Sequence, residues 1–324
     1  MCTAASYRTD SFYFGRNLDL GGWHGEKVVI TPRGYCFDFR HEGRSESHEA
    51  IIGMGIIMNG YPLYFDGMNE SGLAIAGLNF PGNAWYGKPV EGKRNVAVFE
   101  LIPWLLSNAR SVEETRILLA DLNLTDDFFA PGVAPATLHW MIADKKESIV
   151  LEATKTGLHV YDDPAEVLTN NPEFPLQMFN LNNYRHLSAS DTPPAFSDKL
   201  GMDTYCKGLG ALGMPGDLSS MSRFVKASFT CLNSVKAEGE KASVSQFFHI
   251  LGSVWQQKGS VIYGDGEYEI TVYSSCMNCS KGYYYYKTYG NSRITKVDMH
   301  KENLDSEELI SYELQMEEDF LEAN

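Results

Sequence analysis

The sequence predicts an α+β protein in which two antiparallel sheets are flanked by helices. The hydrophobic period changes in blocks, from strands to helices and back, without the regular strand–helix alternation of a parallel sheet. The 324 residues are 44% apolar and 21% charged, which is typical of a globular protein with a large core. No internal repeat or low-complexity tract divides the chain, so we expect one domain over residues 1–324.

The first 80 residues are predicted to form short strands separated by turns. Residues 7–14 have the pattern of a hairpin that turns near Thr9-Asp10-Ser11. Apolar, β-branched runs bounded by Gly, Pro and Asn predict further strands at 27–31, 50–59 and 73–79.

Residues 96–122 are predicted to be helical. Ser111 and Glu114 have the spacing of a capping box, in which the Ser111 hydroxyl accepts a hydrogen bond from the Glu114 amide. The Glu114 carboxylate accepts one from the backbone at the start of the helix. Apolar residues then recur near the helical period, at Val112, Ile117, Leu118 and Leu122.

The rest of the chain is predicted from the same periodicities. Strands are expected at 138–143, 149–153, 158–161, 268–275 and 282–289, with tyrosines 283–286 alternating between core and surface. Helices are expected at 224–235 and 244–255. Residues 186–217, rich in Pro, Gly, Ser and Asp, are predicted to leave the body of the fold, and the acidic tail 302–324 to be partly helical.

Charge and cysteine content restrict the partners and the compartment. The net charge of −15 argues against a nucleic-acid partner, because phosphate contacts require clustered Lys and Arg. The longest apolar run, 50–58, is too short to span a membrane, and the N-terminus lacks the pattern of a signal peptide. Six cysteines are too sparse for a disulfide framework, so we expect a cytoplasmic protein with reduced thiols and no membrane partner.

Several short motifs lack the context that their chemistry needs. Residues 208–213 match the dinucleotide fingerprint, but Pro215 stands where a helix would continue, so a loop is predicted. Cys276 and Cys279 have neither the two further ligands of a zinc site nor a following helix, and we interpret them as structural thiols. His139 and His249 lie on apolar segments and are interpreted as core residues, so no metal site is predicted.

The second residue carries the clearest chemistry. Removal of Met1 would leave Cys2 with both a thiol and a free α-amine, a nucleophile and a base on one residue. An unperturbed thiol ionises near pH ~8.5 and an α-amine near ~7.7–8.0, so proton transfer between them is feasible at neutral pH. Arg16 and Asp19 follow the predicted hairpin. Arg16 would favour the thiolate and Asp19 would hold the ammonium, unless the two side chains form a surface ion pair of little energetic consequence.

Motifs along nearly the whole chain resemble, in order, the choloylglycine hydrolase family. The segments that carry the resemblance are Met1-Cys2-Thr3, Gly15-Arg16-Asn17-Leu18-Asp19, Asn69-Glu70-Ser71-Gly72-Leu73, Gly77-Leu78-Asn79-Phe80-Pro81, Leu138-His139-Trp140, Leu168-Thr169-Asn170-Asn171-Pro172, Pro215-Gly216-Asp217, Ser222-Arg223-Phe224 and Met299-His300-Lys301-Glu302-Asn303-Leu304-Asp305.

The resemblance implies a four-layer αββα sandwich of the N-terminal-nucleophile hydrolase type and hydrolysis of the amide bond in glycine- or taurine-conjugated bile acids. It implies no cofactor and a homotetramer, with 186–217 as the assembly loop. The implied catalytic residues are Cys2, Arg16, Asp19, Asn79, Asn170 and Arg223. Bile salt hydrolases in the family resemble one another in having asparagine at position 79, where penicillin V acylases commonly have tyrosine.

The roles follow from the same resemblance. Asn79 and Asn170 would donate to the oxyanion, Asp19 would fix the amine, and the two arginines would set the field around the sulfur. Cys2, Arg16 and Asn79 would also contact substrate. The apolar pocket is expected to be formed by Leu18, Leu20, Trp23 and Phe65, with the Phe128-Phe129 loop beside them.

Three other functions remain open at this stage. The first is a penicillin V acylase or another N-acyl amide hydrolase with the same site. The second is a bile-acid-binding protein that has kept the fold without activity. The third is a thiol redox protein that uses Cys276 and Cys279 and does not need Cys2.

Overall fold

The computed structural model describes residues 1–264 and 266–324. In chain order the strands β1 to β20 are Cys2–Arg8, Phe12–Leu20, Lys27–Thr31, Phe37–Phe39, Gly43–Ser45, Ile51–Met58, Tyr61–Asn69, Ala74–Asn79, Arg94–Ala97, Leu122–Thr125, Leu138–Ala143, Ser148–Thr154, Gly157–Asp162, Val167–Leu168, Ile262–Tyr263, Glu267–Tyr268, Ile270–Asn278, Tyr283–Thr288, Asn291–Asp298 and Ile310–Glu313. The helices α1 to α5 are Leu101–Asn108, Val112–Leu119, Phe174–Asn180, Ser220–Asn233 and Glu240–Gly252.

Over the described residues, two large sheets form the centre of the molecule. The first, which we call the N-terminal sheet, has the strand order β14-β1-β2-β17-β18-β19. The second sheet has the order β13-β12-β11-β8-β7-β6-β3-β20. Neighbouring strands within both sheets are antiparallel, as the block pattern of the sequence predicts.

Helices cover the outer face of each sheet. Alternate residues of β11 show the layering, because Met141 packs in the core that α4 and α5 share with the N-terminal sheet. Ile142 packs in the separate core under α1 and α2. A strand that is buried on both faces requires a layer on each side. The fold is therefore an αββα sandwich, and the α+β class is confirmed.

The first hairpin fits its prediction closely. β1 and β2 pair from Cys2–Leu18 to Arg8–Phe12, and the turn is closed by a bond from the Thr9 amide to the Ser11 carbonyl. No residue with a side chain fits at position 15, since a Cβ on Gly15 would lie 2.1 Å from the carbonyl oxygen of Ser275 on β17. The hairpin thus lies against β17 at the centre of its sheet.

Three predicted elements differ from the structure. The helix predicted over 96–122 is two eight-residue helices between β9 and β10, because Ala109 is extended and ends α1. Ser111 caps α2 as predicted, but the Glu114 carboxylate accepts from the Arg110 amide. The tail forms β20, which pairs with β3, where a partial helix was expected. Of the four tyrosines, all but Tyr283 are buried, because β18 has a sheet neighbour on each side and a layer on each face.

Candidate active site

The hairpin of β1 and β2 places Cys2 at the interface between the two sheets. Cys2 pairs with Leu18 across the ladder and is only 3% exposed. Successive residues of a strand point to opposite faces. Cys2, Arg16 and Leu18 therefore face the second sheet, whereas Asn17 and Asp19 face α4 and α5.

Arg16 contacts the sulfur directly. Its Nη2 donates to Cys2 Sγ, and its Nη1 donates to the carbonyls of Gly77 and Phe65. Burial lowers the pKa of the guanidinium, but the nearby Cys2, Tyr273 and Asp66 outweigh it and raise that pKa overall. Arg16 is therefore a fixed positive charge in contact with the sulfur of Cys2.

Asn170 connects the strand of Cys2 to α4 and to the second sheet. Its Oδ1 accepts from the Cys2 amide at 2.8 Å and from Arg223 Nη2 at 2.7 Å. Its Nδ2 donates to the Asn79 carbonyl at 2.7 Å. Arg223 also donates to the Cys2 carbonyl and to Thr3 Oγ1, and burial lowers its pKa. Arg223 thus binds the backbone around Cys2, not the sulfur.

Asp19 is buried on the helix side of β2. Its carboxylate accepts from Thr271 Oγ1 at 2.6 Å and from Gln256 Nε2 at 3.2 Å. Burial raises the pKa of this carboxyl to about 6, although Arg223 and the bond from Thr271 act in the opposite direction. A buried carboxylate without a full counter-charge is suited to receive an ammonium.

Met1 occupies the space next to Asp19. Its ammonium donates to the Asp19 carbonyl and forms an ion pair with Glu269, and its carbonyl accepts from the Asp19 amide at 2.9 Å. With Met1 in place, the nitrogen of Cys2 is a peptide N–H and has no basic lone pair. The chain with Met1 attached therefore has the thiol but lacks the base.

Asn79 lies at the end of β8 and is exposed. Its Oδ1 accepts from Thr137 Oγ1 at 3.1 Å, and its carbonyl accepts from Asn170. Hydrogen bonds thus join Cys2, Arg16, Asn79, Asn170 and Arg223, and Asp19 is connected to this network through the backbone of Met1.

An apolar cavity of about 410 Å³ opens above the sulfur. Cys2, Arg16 and Asn79 line it together with the predicted walls Leu18, Leu20 and Phe65. Phe129 also lines it, with further walls from Met1, Leu63, Tyr64, Gly77, Val98, Phe99, Val133, Ala134, Pro135, Ala136 and Leu138.

Two expected wall residues lie elsewhere. Trp23 is 48% exposed in the turn after β2, where its indole N–H donates to the Glu26 carbonyl. Phe128 is 54% exposed and does not line the cavity, although the adjacent Phe129 does.

A larger depression, of about 820 Å³, lies around Arg33 and Arg110. Both arginines are paired there, with Glu70 and Glu49 respectively. It contains none of the six cysteines, whereas the cavity at Cys2 combines a thiol with an apolar wall.

The remaining motifs have structural surroundings. Residues 209–211 form a short 3-10 turn within a loop. Cys276 and Cys279 are buried and unpaired, and burial raises the pKa of both thiols. His139 is buried with both ring nitrogens bonded, but His249 is exposed on the outer face of α5, so the core interpretation of His249 is wrong.

Among residues 1–264 and 266–324, no three His, Cys, Asp or Glu side chains are arranged to hold a metal ion. No helix in the same part of the chain has the length and apolarity needed to cross a membrane.

Sequence reasoning did not identify Thr271, Gln256 and Glu269 as site residues. All three lie more than 230 positions after Asp19 in the sequence. Thr271 and Gln256 donate to the Asp19 carboxylate, and Glu269 forms the ion pair with the Met1 ammonium. Thr271 lies directly opposite Asp19 in the ladder of β2 and β17. No local pattern marks these residues, since only the fold makes them neighbours.

Comparison with known proteins identifies the family. Residues 2–312 match the model for linear amide C–N hydrolases of the choloylglycine hydrolase family. The chain belongs to this family. The choloylglycine hydrolases with similar sequences include the bile salt hydrolase/transferase of Lactiplantibacillus plantarum, 53% identical over the full length of both chains. The bile salt hydrolase/transferase of Bifidobacterium longum subsp. longum is 42% identical over 96% of this chain and 99% of its own.

The fold of this choloylglycine hydrolase agrees with a solved structure. A mutant of the conjugated bile acid hydrolase from Clostridium perfringens superposes with a TM-score of 0.93 over the full length of both chains, at 35% identity. The protein is thus a linear-amide C–N hydrolase with the N-terminal-nucleophile sandwich, as the sequence motifs predict.

Proposed function

We propose that this choloylglycine hydrolase cleaves the amide bond of glycine- or taurine-conjugated bile acids with Cys2 as the nucleophile. The observation that carries the proposal is the position of Cys2 Sγ, which lines an apolar cavity while Arg16 donates to it. The names of the relatives from L. plantarum and B. longum support the same substrate class.

The cavity suits a large apolar acyl group. Its volume of about 410 Å³ lies within the ~300–1,000 Å³ that is common for small-molecule sites. Leu18, Leu20, Phe65 and Phe129 offer apolar surface to a steroid, and burial contributes about 25 cal/mol per Å² of apolar area. This contribution and the local arginines offset the repulsion between an anionic bile salt and a chain of net charge −15.

The reaction begins once hydrolysis of the Met1–Cys2 peptide bond has released methionine and the α-amine of Cys2. The amine takes the thiol proton, directly or through water, and the thiolate attacks the amide carbonyl. Asn170 Nδ2 and Asn79 donate hydrogen bonds to the oxyanion. One such donor in a comparable site is worth about 3–4 kcal/mol.

The tetrahedral intermediate collapses when its C–N bond breaks. The α-ammonium protonates the departing glycine or taurine nitrogen, which leaves a thioester on Cys2. Water, deprotonated by the amine, then cleaves the thioester to free bile acid and restores the thiol. Asp19 holds the α-amino group and stabilises the ammonium each time it forms, and Arg223 fixes the Cys2 backbone.

A hydrolysis assay on glycocholate and taurocholate tests the proposal. We expect the wild type to release both amino acids and Cys2→Ala to release neither. Cys36→Ala is the matched control, because Cys36 is a partly exposed thiol outside the cavity lining. Equal turnover by wild type and Cys2→Ala would refute the proposal.

The same samples distinguish the alternatives. Release of phenoxyacetate from penicillin V without release of glycine or taurine would indicate a penicillin V acylase. Binding of bile acid without turnover would indicate a binding protein, as would an intact mass showing Met1 retained in the mature chain. Loss of function in Cys276→Ser but not in Cys2→Ser would indicate the redox function.

We also propose that residues 1–324 act as one domain in a cytoplasmic homotetramer assembled through residues 186–217. Support for the assembly comes from large apolar side chains that this segment exposes, including Phe196 at 79% and Tyr205 at 80%. Exposed apolar groups of this size often mark interaction surfaces. The six unpaired cysteines support a reducing compartment. Light scattering on wild type and on Phe196→Ser/Tyr205→Ser tests the assembly, and an unchanged molar mass would contradict it.

A further inference from the structure

A buried histidine lies between the two amide residues of the active site. His139, on β11, is fully buried, and its ring stacks on Phe80 with centroids 4.1 Å apart and planes 6° apart. Its Nε2 lies 2.9 Å from the Thr169 carbonyl oxygen. Because a carbonyl oxygen can only accept, Nε2 carries the hydrogen and donates it.

Both contacts are one residue away from an oxyanion donor. Phe80 directly follows Asn79, and Thr169 directly precedes Asn170. Asn79 and Asn170 lie on separate segments, and their own bond runs from Asn170 Nδ2 to the Asn79 carbonyl. One ring therefore contacts a residue adjacent in sequence to each of the two donors.

Glu152, on β12, fixes the ring. Its Oε1 lies 3.0 Å from His139 Nδ1 and accepts from the Phe174 amide, also at 3.0 Å. Phe174 begins α3, so the same carboxylate oxygen also holds the backbone that follows Asn170. Glu152 is fully buried, and its Oε2 has no hydrogen-bond partner within the described part of the chain. A fully buried polar pair of this kind is costly unless its geometry is well satisfied.

We propose that His139, held by Glu152, is a positioning residue that sets the spacing between the oxyanion donors Asn79 and Asn170. This inference rests on the proposed function. The pair touches neither the sulfur nor the cavity, so it acts only through the two donors. Donors of this kind stabilise the transition state more than the bound substrate. Loss of the pair therefore lowers kcat and leaves KM unchanged.

The main test is the double variant His139→Leu/Glu152→Leu. Replacing both partners with apolar groups of similar size removes the bond to Thr169 without leaving a lone buried charge. We expect a folded protein with kcat for taurocholate lower by on the order of 10²-fold, the effect of a misplacement of about 1 Å, and an unchanged KM. A kcat equal to that of the wild type would overturn the proposal.

Two further variants separate positioning from general packing. His139→Gln keeps an amide donor near the Thr169 carbonyl, and we expect it to restore kcat toward the wild type. Ile142→Ala, a buried change on the same strand that faces α1 and α2, is the matched control and should lower the free energy of unfolding without lowering kcat. An equal loss of kcat in Ile142→Ala would overturn the proposal, as would a rise in KM that accounts for the whole loss.

The failures of the two proposals are distinguishable. If wild type and Cys2→Ala turn over taurocholate equally, the proposed function fails. If the wild type is active, Cys2→Ala is inactive and the double variant matches the wild type, only the role of His139 fails. If the double variant does not fold by circular dichroism, Phe80→Leu decides the question, because it removes the stacking and keeps an apolar side chain. We then expect a lower kcat at constant KM, and an unchanged kcat would overturn the proposal.

Discussion

Asn170 offers a way to separate the stability of the site from its chemistry. The side chain makes three hydrogen bonds, in which Oδ1 accepts from Cys2 and Arg223 and Nδ2 donates to the Asn79 carbonyl. A neutral bond contributes about 1 kcal/mol and one to a charged group about 2 kcal/mol. Asn170→Ala should therefore lower the free energy of unfolding by roughly 4 kcal/mol. Loss of the oxyanion donor should lower kcat by about 10²–10³-fold.

Asn170→Asp separates the effect on the free energy of unfolding from the effect on kcat. The aspartate keeps an oxygen acceptor for Cys2 and Arg223, but it has no N–H for Asn79 or for the oxyanion. We expect its free energy of unfolding to lie nearer to the wild type than that of Asn170→Ala, while kcat stays as low. Urea titration and steady-state hydrolysis of taurocholate measure the two quantities. A kcat for Asn170→Asp equal to that of the wild type would refute the assignment of Asn170 as an oxyanion donor.

Three other changes test the site and its support. In the chain that retains Met1, Asp19 titrates near pH 6 against an ordinary 3.8, so the folded state binds this proton more tightly than the unfolded state. Wild type should gain roughly 2 kcal/mol relative to Asp19→Asn between pH 7 and pH 4, and a pH-independent difference in urea titrations would contradict this. Phe65→Ala should raise KM for taurocholate roughly 30-fold through the loss of about 2 kcal/mol of apolar contact, with kcat retained; an unchanged KM would remove Phe65 from the pocket. Gly15→Ala forces a Cβ onto the Ser275 carbonyl and should cost about 3 kcal/mol or more in unfolding free energy, whereas Gly22→Ala, with open space around it, should be neutral; similar melting temperatures for the two would contradict the packing argument.

Sequence patterns predicted the strands of this protein better than its helices. Residues 27–31 and 138–143 match β3 and β11 to the residue, because alternation and turn residues mark both ends of each strand. The helix over 96–122 failed because the periodicity of α1 and α2 runs on through Ala109, where the backbone turns extended. Periodicity reports which residues face a core, but it does not report a break between two helices that share that core.

The residues of the site were likewise predicted only in part. Its six polar residues follow from motifs along the chain, and the structure brings them together. The walls were only partly predicted, since Trp23 and Phe128 are aromatic and close in sequence yet point away from the cavity. No sequence pattern marks Thr271 and Gln256, because Thr271 meets Asp19 through the pairing of β2 with β17 and Gln256 is bonded in turn to Thr271.

The alternation along β2 has a consequence for changing what this protein accepts. Leu18 and Leu20 lie on one side of the strand and line the cavity proposed to hold the acyl group, while Asp19 lies between them on the other side with its own partners. New acyl selectivity can therefore be engineered at positions 18 and 20 without rebuilding the apparatus that holds the amine. A library restricted to those two positions changes the shape of the cavity and leaves the residues on the opposite face of β2 unchanged.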